Sequence, residues 1–174
     1  PPDSFDIGKA QDSRGLTVSA VKFLCRMPPV SRVNAKVPQG FRQITDASGF
    51  AAANGPWFER VEGRRVWRGF LPGPQHANAL GIVHGGMLAA FLDAALGSVV
   101  WRAIDRRCVT LRLTLDYLTP ARVGDWIEAT GELIGHDEHM AHVRGRLYGP
   151  RHDVLGGLGD FALLSTRRQL PIRS

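Results

Sequence analysis

The sequence predicts an α+β domain, an antiparallel sheet wrapped around one long central helix. Two observations carry this. Ile82–Trp101 is an unbroken apolar run in which only Asp93 bears a full charge, and a helix that is apolar on every side is a buried one. After it come segments of two-residue alternation separated by turn signals, the mark of sequential strands. Strands that follow one another and enclose a helix bury both. A chain of 174 residues is long enough for one domain with its own core.

The elements follow in order. Residues 1–40 stand apart as an N-terminal arm, and 41–174 form the domain. From Ser13 to Thr45 there are six basic residues (Arg14, Lys22, Arg26, Arg32, Lys36, Arg42) and no acid. No small-residue cleavage site follows the mildly apolar Leu16–Leu24 stretch, so a poorly ordered arm is expected rather than a secretory signal. Phe41–Ala53 reads as a short helix ended by Asn54-Gly55-Pro56. Val61–Leu71, with Val66, Trp67 and Phe70 among arginines, reads as a strand broken by Pro72-Gly73-Pro74. The long helix starts at His84-Gly85-Gly86. In Cys108–Leu118, Val109, Leu111, Leu113, Leu115 and Tyr117 share one face, and Thr110, Arg112, Thr114 and Asp116 the other. Trp126–Ile134, Met140–Tyr148 and Val154–Thr166 complete a meander.

Composition bounds the function. Lys and Arg number 22 against 16 Asp and Glu, a formal charge of +6. That balance suits a phosphate-bearing ligand. Nucleic acid is disfavoured, because no zinc-finger spacing, basic helix or aromatic RNA-binding motif is present. The apolar run is long enough to cross a membrane. Its internal Asp93, His84, Gly85, Gly86 and Gly97, and the alternation after it, argue for a core helix instead. Cys25 and Cys108 form no CxxC pair, which points to a reducing, cytoplasmic setting. The His-rich stretch His136-Asp137-Glu138-His139…His142 reads as a solvated hairpin turn and not as a metal site, and no cofactor is expected.

Asp93 is the residue that calls for an explanation. A lone carboxylate in an apolar helix is costly. Of its neighbours three and four residues away, Ala89, Ala90, Leu96 and Gly97, three are small, so Asp93 faces space. Such a group is a candidate general base or nucleophile. Hydrogen-bond donors have a source in His84-Gly85-Gly86. The first N–H groups of a helix lack intrahelical partners, glycine lets a ligand approach them, and an oxyanion formed from a carbonyl suits such a place. Asn78, six residues before His84, can add an amide donor.

The stretch Asn78-Ala-Leu-Gly-Ile-Val-His84-Gly85-Gly86-Met-Leu-Ala-Ala-Phe-Leu-Asp93, with Val109-Thr110 and Tyr117-Leu118-Thr119-Pro120-Ala121…Gly124-Asp125 downstream, resembles the phenylacetate-degradation type of hotdog-fold acyl-CoA thioesterase. The resemblance covers roughly Gly55 to Thr166. It implies a hotdog fold and hydrolysis of aryl-acetyl or medium-chain acyl-CoA to free acid and CoA. By the same resemblance Asp93 activates water or attacks directly, and the Gly85 N–H and the Asn78 side chain polarise the carbonyl. His84 sits near the leaving sulfur, and the Thr110 hydroxyl contacts the carboxylate. Alternation puts Thr110 on the face opposite Leu111, so that contact requires a bulge or entry from the sheet edge.

Gly85 and Asp93 are eight residues apart, roughly 12 Å along a helix axis. A two-fold pairing of chains would bring Asp93 of one to Gly85 of the other. A homodimer or homotetramer with active sites at the dimer interface is therefore expected, as the resemblance also implies. Two rivals remain: a hotdog hydratase or dehydratase, and a non-catalytic acyl-CoA-binding protein.

Overall fold

The structure is a computed structural model and describes residues 36–46 and 49–165. One sheet and one long helix make up the domain. The strands are β1 (Arg42–Gln43), β2 (Trp57–Glu62), β3 (Arg65–Phe70), β4 (Cys108–Tyr117), β5 (Ile127–His136), β6 (Met140–Tyr148) and β7 (Asp153–Leu163). Between them lie a short helix α1 (Gly49–Ala53), a 3₁₀ turn (Pro74–His76) and the long helix α2 (Gly85–Ile104). Every strand pairing is antiparallel, in the order β1-β2-β3-β5-β6-β7-β4.

α2 is long and apolar enough to cross a membrane, yet it serves as the core helix of the sheet. Met87, Leu88, Phe91, Leu92, Ala95, Leu96, Ser98, Val99 and Val100 are its buried residues. They meet Phe70, Ile127, Val143, Leu147, Leu155 and Phe161 from the strands. The approach is close because glycines line the middle of the sheet. Gly131 pairs with Gly145, which pairs with Gly157. A Cβ on Gly145 would stand 2.5 Å from Leu96 Cδ2, and one on Gly157 2.9 Å from Leu92 Cδ2. Glycine here marks where one element's backbone approaches another. The helix ends at Asp105, whose left-handed backbone (φ 53°) closes the last turn by donating its N–H to Trp101 O at 2.9 Å.

The sheet differs from the sequence reading in three places. First, Trp57–Phe70 is a hairpin of two strands rather than one. Glu62 pairs with Arg65 across Gly63-Arg64, and Gly63 takes a positive φ of 59°, as a two-residue turn requires. Second, the four later strands are not a simple meander. β5, β6 and β7 are consecutive neighbours, while β4 lies at the far edge and pairs with β7. Third, the segment read as a helix from Phe41 is an edge strand, β1, and only Gly49–Ala53 is helical. Asn54 caps that last turn, its side-chain amide donating to Phe50 O at 3.0 Å. Of the arm assigned to 1–40, residues 1–35 lie outside the described residues, as do Thr166 and Cys25. Near the boundary Phe41 already packs edge-on against Trp126, 5.2 Å between centroids.

The aromatics divide between the two faces of the sheet. Trp57 packs on Phe91 in the core, 5.4 Å between ring centroids. Phe58, next in sequence, turns to the opposite face and meets Trp126. On that outer face the Arg60 guanidinium lies 4.5 Å over the Trp67 ring. Trp101 stays 47% exposed on the uncovered side of α2.

His76 anchors the loop that leads into α2. It is buried, its ring meets Phe70 edge-on at 4.9 Å, and its Nδ1 accepts from Gly73 N–H at 2.9 Å. Burial lowers its pKa from the ordinary 6.5, and backbone groups of Asn54 and Gly73 offset only part of this. The unfolded chain therefore takes up a proton more readily than the folded one. Stability is complete above about pH 6.5 and falls as pH drops below it toward the folded pKa. Urea midpoints at pH 7.5 and pH 5 should differ more for the parent than for His76→Gln, whose amide oxygen can still accept from Gly73 without taking a proton.

Candidate active site

Asp93 lies half-buried in the middle of α2, on the side that the sheet leaves open. Thr110 donates its hydroxyl to Asp93 Oδ1 at 2.7 Å. The contact exists because β4 carries a bulge. Thr110 pairs with Phe161 and Arg112 with Asp160, so Leu111 is the extra residue. The bulge shifts the alternation. Cys108, Thr110, Leu113, Leu115 and Tyr117 point toward the helix, whereas Val109 and Leu111, read from sequence as core-facing, are 52% and 60% exposed. Oδ2 makes no hydrogen bond among the described residues, which leaves it free for water or substrate. The neighbouring Cys108 thiol is no rival nucleophile, since burial first and the Asp93 charge second push its pKa upward.

The start of α2 forms a second cluster. His84 is the N-cap, and its Nδ1 accepts from Gly86 N–H at 2.9 Å. In the neutral ring that bond places the proton on Nε2. A Cβ on Gly86 would stand 3.0 Å from the same Nδ1, so any side chain there would press on the cap. Gly85 is the first helical residue, and its N–H has no intrahelical partner. The preceding loop folds back onto this point. Ala77 bridges to Val83, and His84 N donates to His76 O at 2.8 Å. Asn78 sits in that loop with Oδ1 accepting from Leu80 N–H at 2.9 Å, and its amide nitrogen makes no hydrogen bond among the described residues. Gly81 closes the turn with a φ of 74°.

Of the five residues singled out by sequence, the structure joins Asp93 to Thr110 and sets His84 and Gly85 together at the start of α2, with Asn78 in the loop that leads to it. Eight residues of continuous helix separate Gly85 from Asp93, roughly 12 Å along the axis. Sequence reasoning quoted Tyr117 in the resemblance but gave it no role in the site; its hydroxyl donates to Gly85 O at 2.8 Å. Its position at the end of an inward-facing series on β4 was the available signal. The His-rich turn is engaged with its own backbone. Asp137 Oδ1 accepts from His139 and Met140 N–H at 2.7 and 2.8 Å, bonds that hold its carboxyl below the usual range.

A thioesterase superfamily profile matches residues 80–153, which contain His84, Gly85, Asp93 and Thr110. A Pseudomonas aeruginosa protein named "Putative esterase PA0474" is 32% identical over 130 residues, covering 73% of this chain and 97% of the relative. The chain belongs to the thioesterase superfamily. Among solved structures, a phenylacetic acid degradation protein PaaI of Thermus thermophilus superposes with a TM-score of 0.60 at 22% identity, over 66% of this chain and 98% of the other. A Streptococcus pneumoniae protein named a hypothetical thioesterase and solved with coenzyme A gives a TM-score of 0.60 at 19% identity, over 64% of this chain and 91% of the other. The fold of this thioesterase-superfamily chain is therefore the hotdog fold, and thioester hydrolysis is the general chemistry its family supports.

Proposed function

We propose that this thioesterase-superfamily protein hydrolyses acyl-CoA, with aryl-acetyl or medium-chain acyl groups as substrates. The observation that carries the reading is the Asp93 carboxylate on the open face of α2, held through Oδ1 by Thr110, with Oδ2 making no hydrogen bond among the described residues. As general base, Asp93 takes a proton from water while the water oxygen bonds to the thioester carbon. The carbonyl oxygen, now negative, accepts from Gly85 N–H and the Asn78 amide. The C–S bond then breaks as the carbonyl re-forms, His84 Nε2–H donates a hydrogen bond to the departing thiolate, and the proton that Asp93 took from water passes to the sulfur. Direct attack by Asp93, through an anhydride that water opens, uses the same groups. Support for CoA comes from the +6 charge and from the relative solved with coenzyme A.

The working unit on this reading is a two-fold dimer, alone or paired into a tetramer, with each site shared between chains. Support comes from β4, which among the described residues ends the sheet and pairs on one side only, with β7. Its neighbourhood exposes Val109, Leu111 and Leu118. An open strand edge with apolar side chains is a surface that a second copy can cover.

A hydratase would need a histidine paired with an acid beside the substrate. The one such pair among the described residues, His142 Nδ1 with Asp160 Oδ1 at 2.8 Å, lies on the outer face of the sheet, because Ala141 and Val143 on either side of His142 are buried beneath α2. Thiol release over a panel of acyl-CoA substrates, phenylacetyl-CoA and C6–C12 chains included, tests the proposal. Release of free CoA with matching loss of thioester is expected. Loss of an enoyl-CoA double bond without thiol would indicate hydration, and binding without either would indicate a carrier.

A further inference from the structure

Tyr117 ends β4 with its side chain toward the start of α2. Its hydroxyl donates to Gly85 O at 2.8 Å. Its ring occupies the space beside the Gly85 Cα, since a Cβ there would lie 3.2 Å from Tyr117 Cε1 and 3.4 Å from Cζ. The side chain is 55% exposed, so filling the core is not its purpose. A phenol hydroxyl in water gains little stability from one neutral hydrogen bond. What the hydroxyl does grip is the first residue of the helix. Gly85 and Gly86 together make that turn the least restricted stretch of backbone in α2, and helix ends fray.

We propose that Tyr117 is a positioning residue, which holds Gly85 so that its N–H stays aimed at the thioester carbonyl oxygen. The proposal rests on the reading of Gly85 as the carbonyl-polarising donor. A donor of this kind is effective only when held in place before the charge develops. β4 then sets both halves of the chemistry: Thr110 fixes the carboxylate and Tyr117 fixes the donor. With sites shared between chains, one strand serves two sites. The glycine at position 85 is explained as well, because any side chain there would press on the Tyr117 ring.

The test is Tyr117→Phe, which keeps the ring and removes only the hydroxyl, measured beside Asp93→Asn by thiol release from the best acyl-CoA of the panel. The expected result is a kcat lower by about five-fold, the worth of one neutral hydrogen bond, with KM and Tm unchanged. Gly85→Ala should also cost less kcat in a Tyr117→Ala background than in the parent, because the clash is gone. Parental kcat in Tyr117→Phe overturns the proposal. So does a kcat loss that merely follows a lowered Tm, which would make the contact structural. If Asp93→Asn retains turnover, the reading of the site fails and this proposal falls with it. If Asp93→Asn is inactive while Tyr117→Phe is unimpaired, only the role of Tyr117 is lost.

Discussion

Replacing Asp93 by asparagine should remove about two to four decades of kcat, the usual cost of deleting a catalytic base. Folding should survive. Asparagine has the same shape, and its Oδ1 can still accept the Thr110 hydroxyl, which now donates to the carboxylate at 2.7 Å. The substitution thus removes charge and basicity and leaves the contact in place. Because Asp93 is half-buried, its charge carries a modest desolvation cost, and Tm should hold or rise slightly. Thr110→Val is the matched control. It leaves the carboxylate but deletes its anchor, and should cost about ten-fold, the order of one hydrogen bond to a charged group. Thr110→Ser should restore most of that. The measurement is kcat by thiol release, with Tm recorded for every variant. An Asp93→Asn protein that folds and turns over like the parent would sink the assignment.

The central helix was legible in sequence because two independent signals agreed there. Twenty residues with one charge demanded burial, and His84-Gly85-Gly86 marked the start; the structure begins α2 at Gly85 with His84 as its cap. The strands after it were legible by alternation, and alternation is also where the reading failed. A bulge inserts one residue and leaves composition untouched, so the alternation of Cys108–Tyr117 could not show that Leu111 would be skipped; only the Thr110 contact implied by the resemblance asked for a bulge or an edge. The shift turned Thr110 toward Asp93 and Val109 toward solvent. β2 was missed because Glu59, Arg60 and Glu62 interrupt its apolar residues. In the sheet Glu59 pairs across strands with Arg42 and Arg68, and Arg60 pairs along β2 with Glu62. Strand order was not legible either. The pairing of β4 with β7 is a long-range choice, and local pattern carries no information about which edge a strand will join. Tyr117 was given no role for a related reason: its partner is a backbone carbonyl, which no residue type advertises.

Two inactive variants should restore activity when mixed. One carries Asp93→Asn, the other a bulky residue at Gly85, such as Gly85→Leu, which drives a side chain against Tyr117, 3.2 Å away at its Cβ. The argument is geometric. α2 runs without interruption from Gly85 to Ile104, so Gly85 and Asp93 stand roughly 12 Å apart along its axis. A donor must lie about 3 Å from the oxyanion, with the base one water molecule from the same carbon. One helix cannot present both at that spacing. Two antiparallel helices related by a two-fold axis can, and do so twice per dimer. The open side of α2 suits such an approach, because Ala89, Ala90, Asp93, Ala94 and Gly97 are small or short and none of them is fully buried. In a mixed dimer one site would then combine both defects, and the other would have neither. Random exchange makes half the dimers mixed, each with one intact site of two, so about a quarter of parental activity should return. Turnover is followed after subunit exchange, with exchange itself verified by distinct tags on the two chains. Proven exchange without recovery would mean that each site is built within a single chain, and the two-fold arrangement would have to be abandoned.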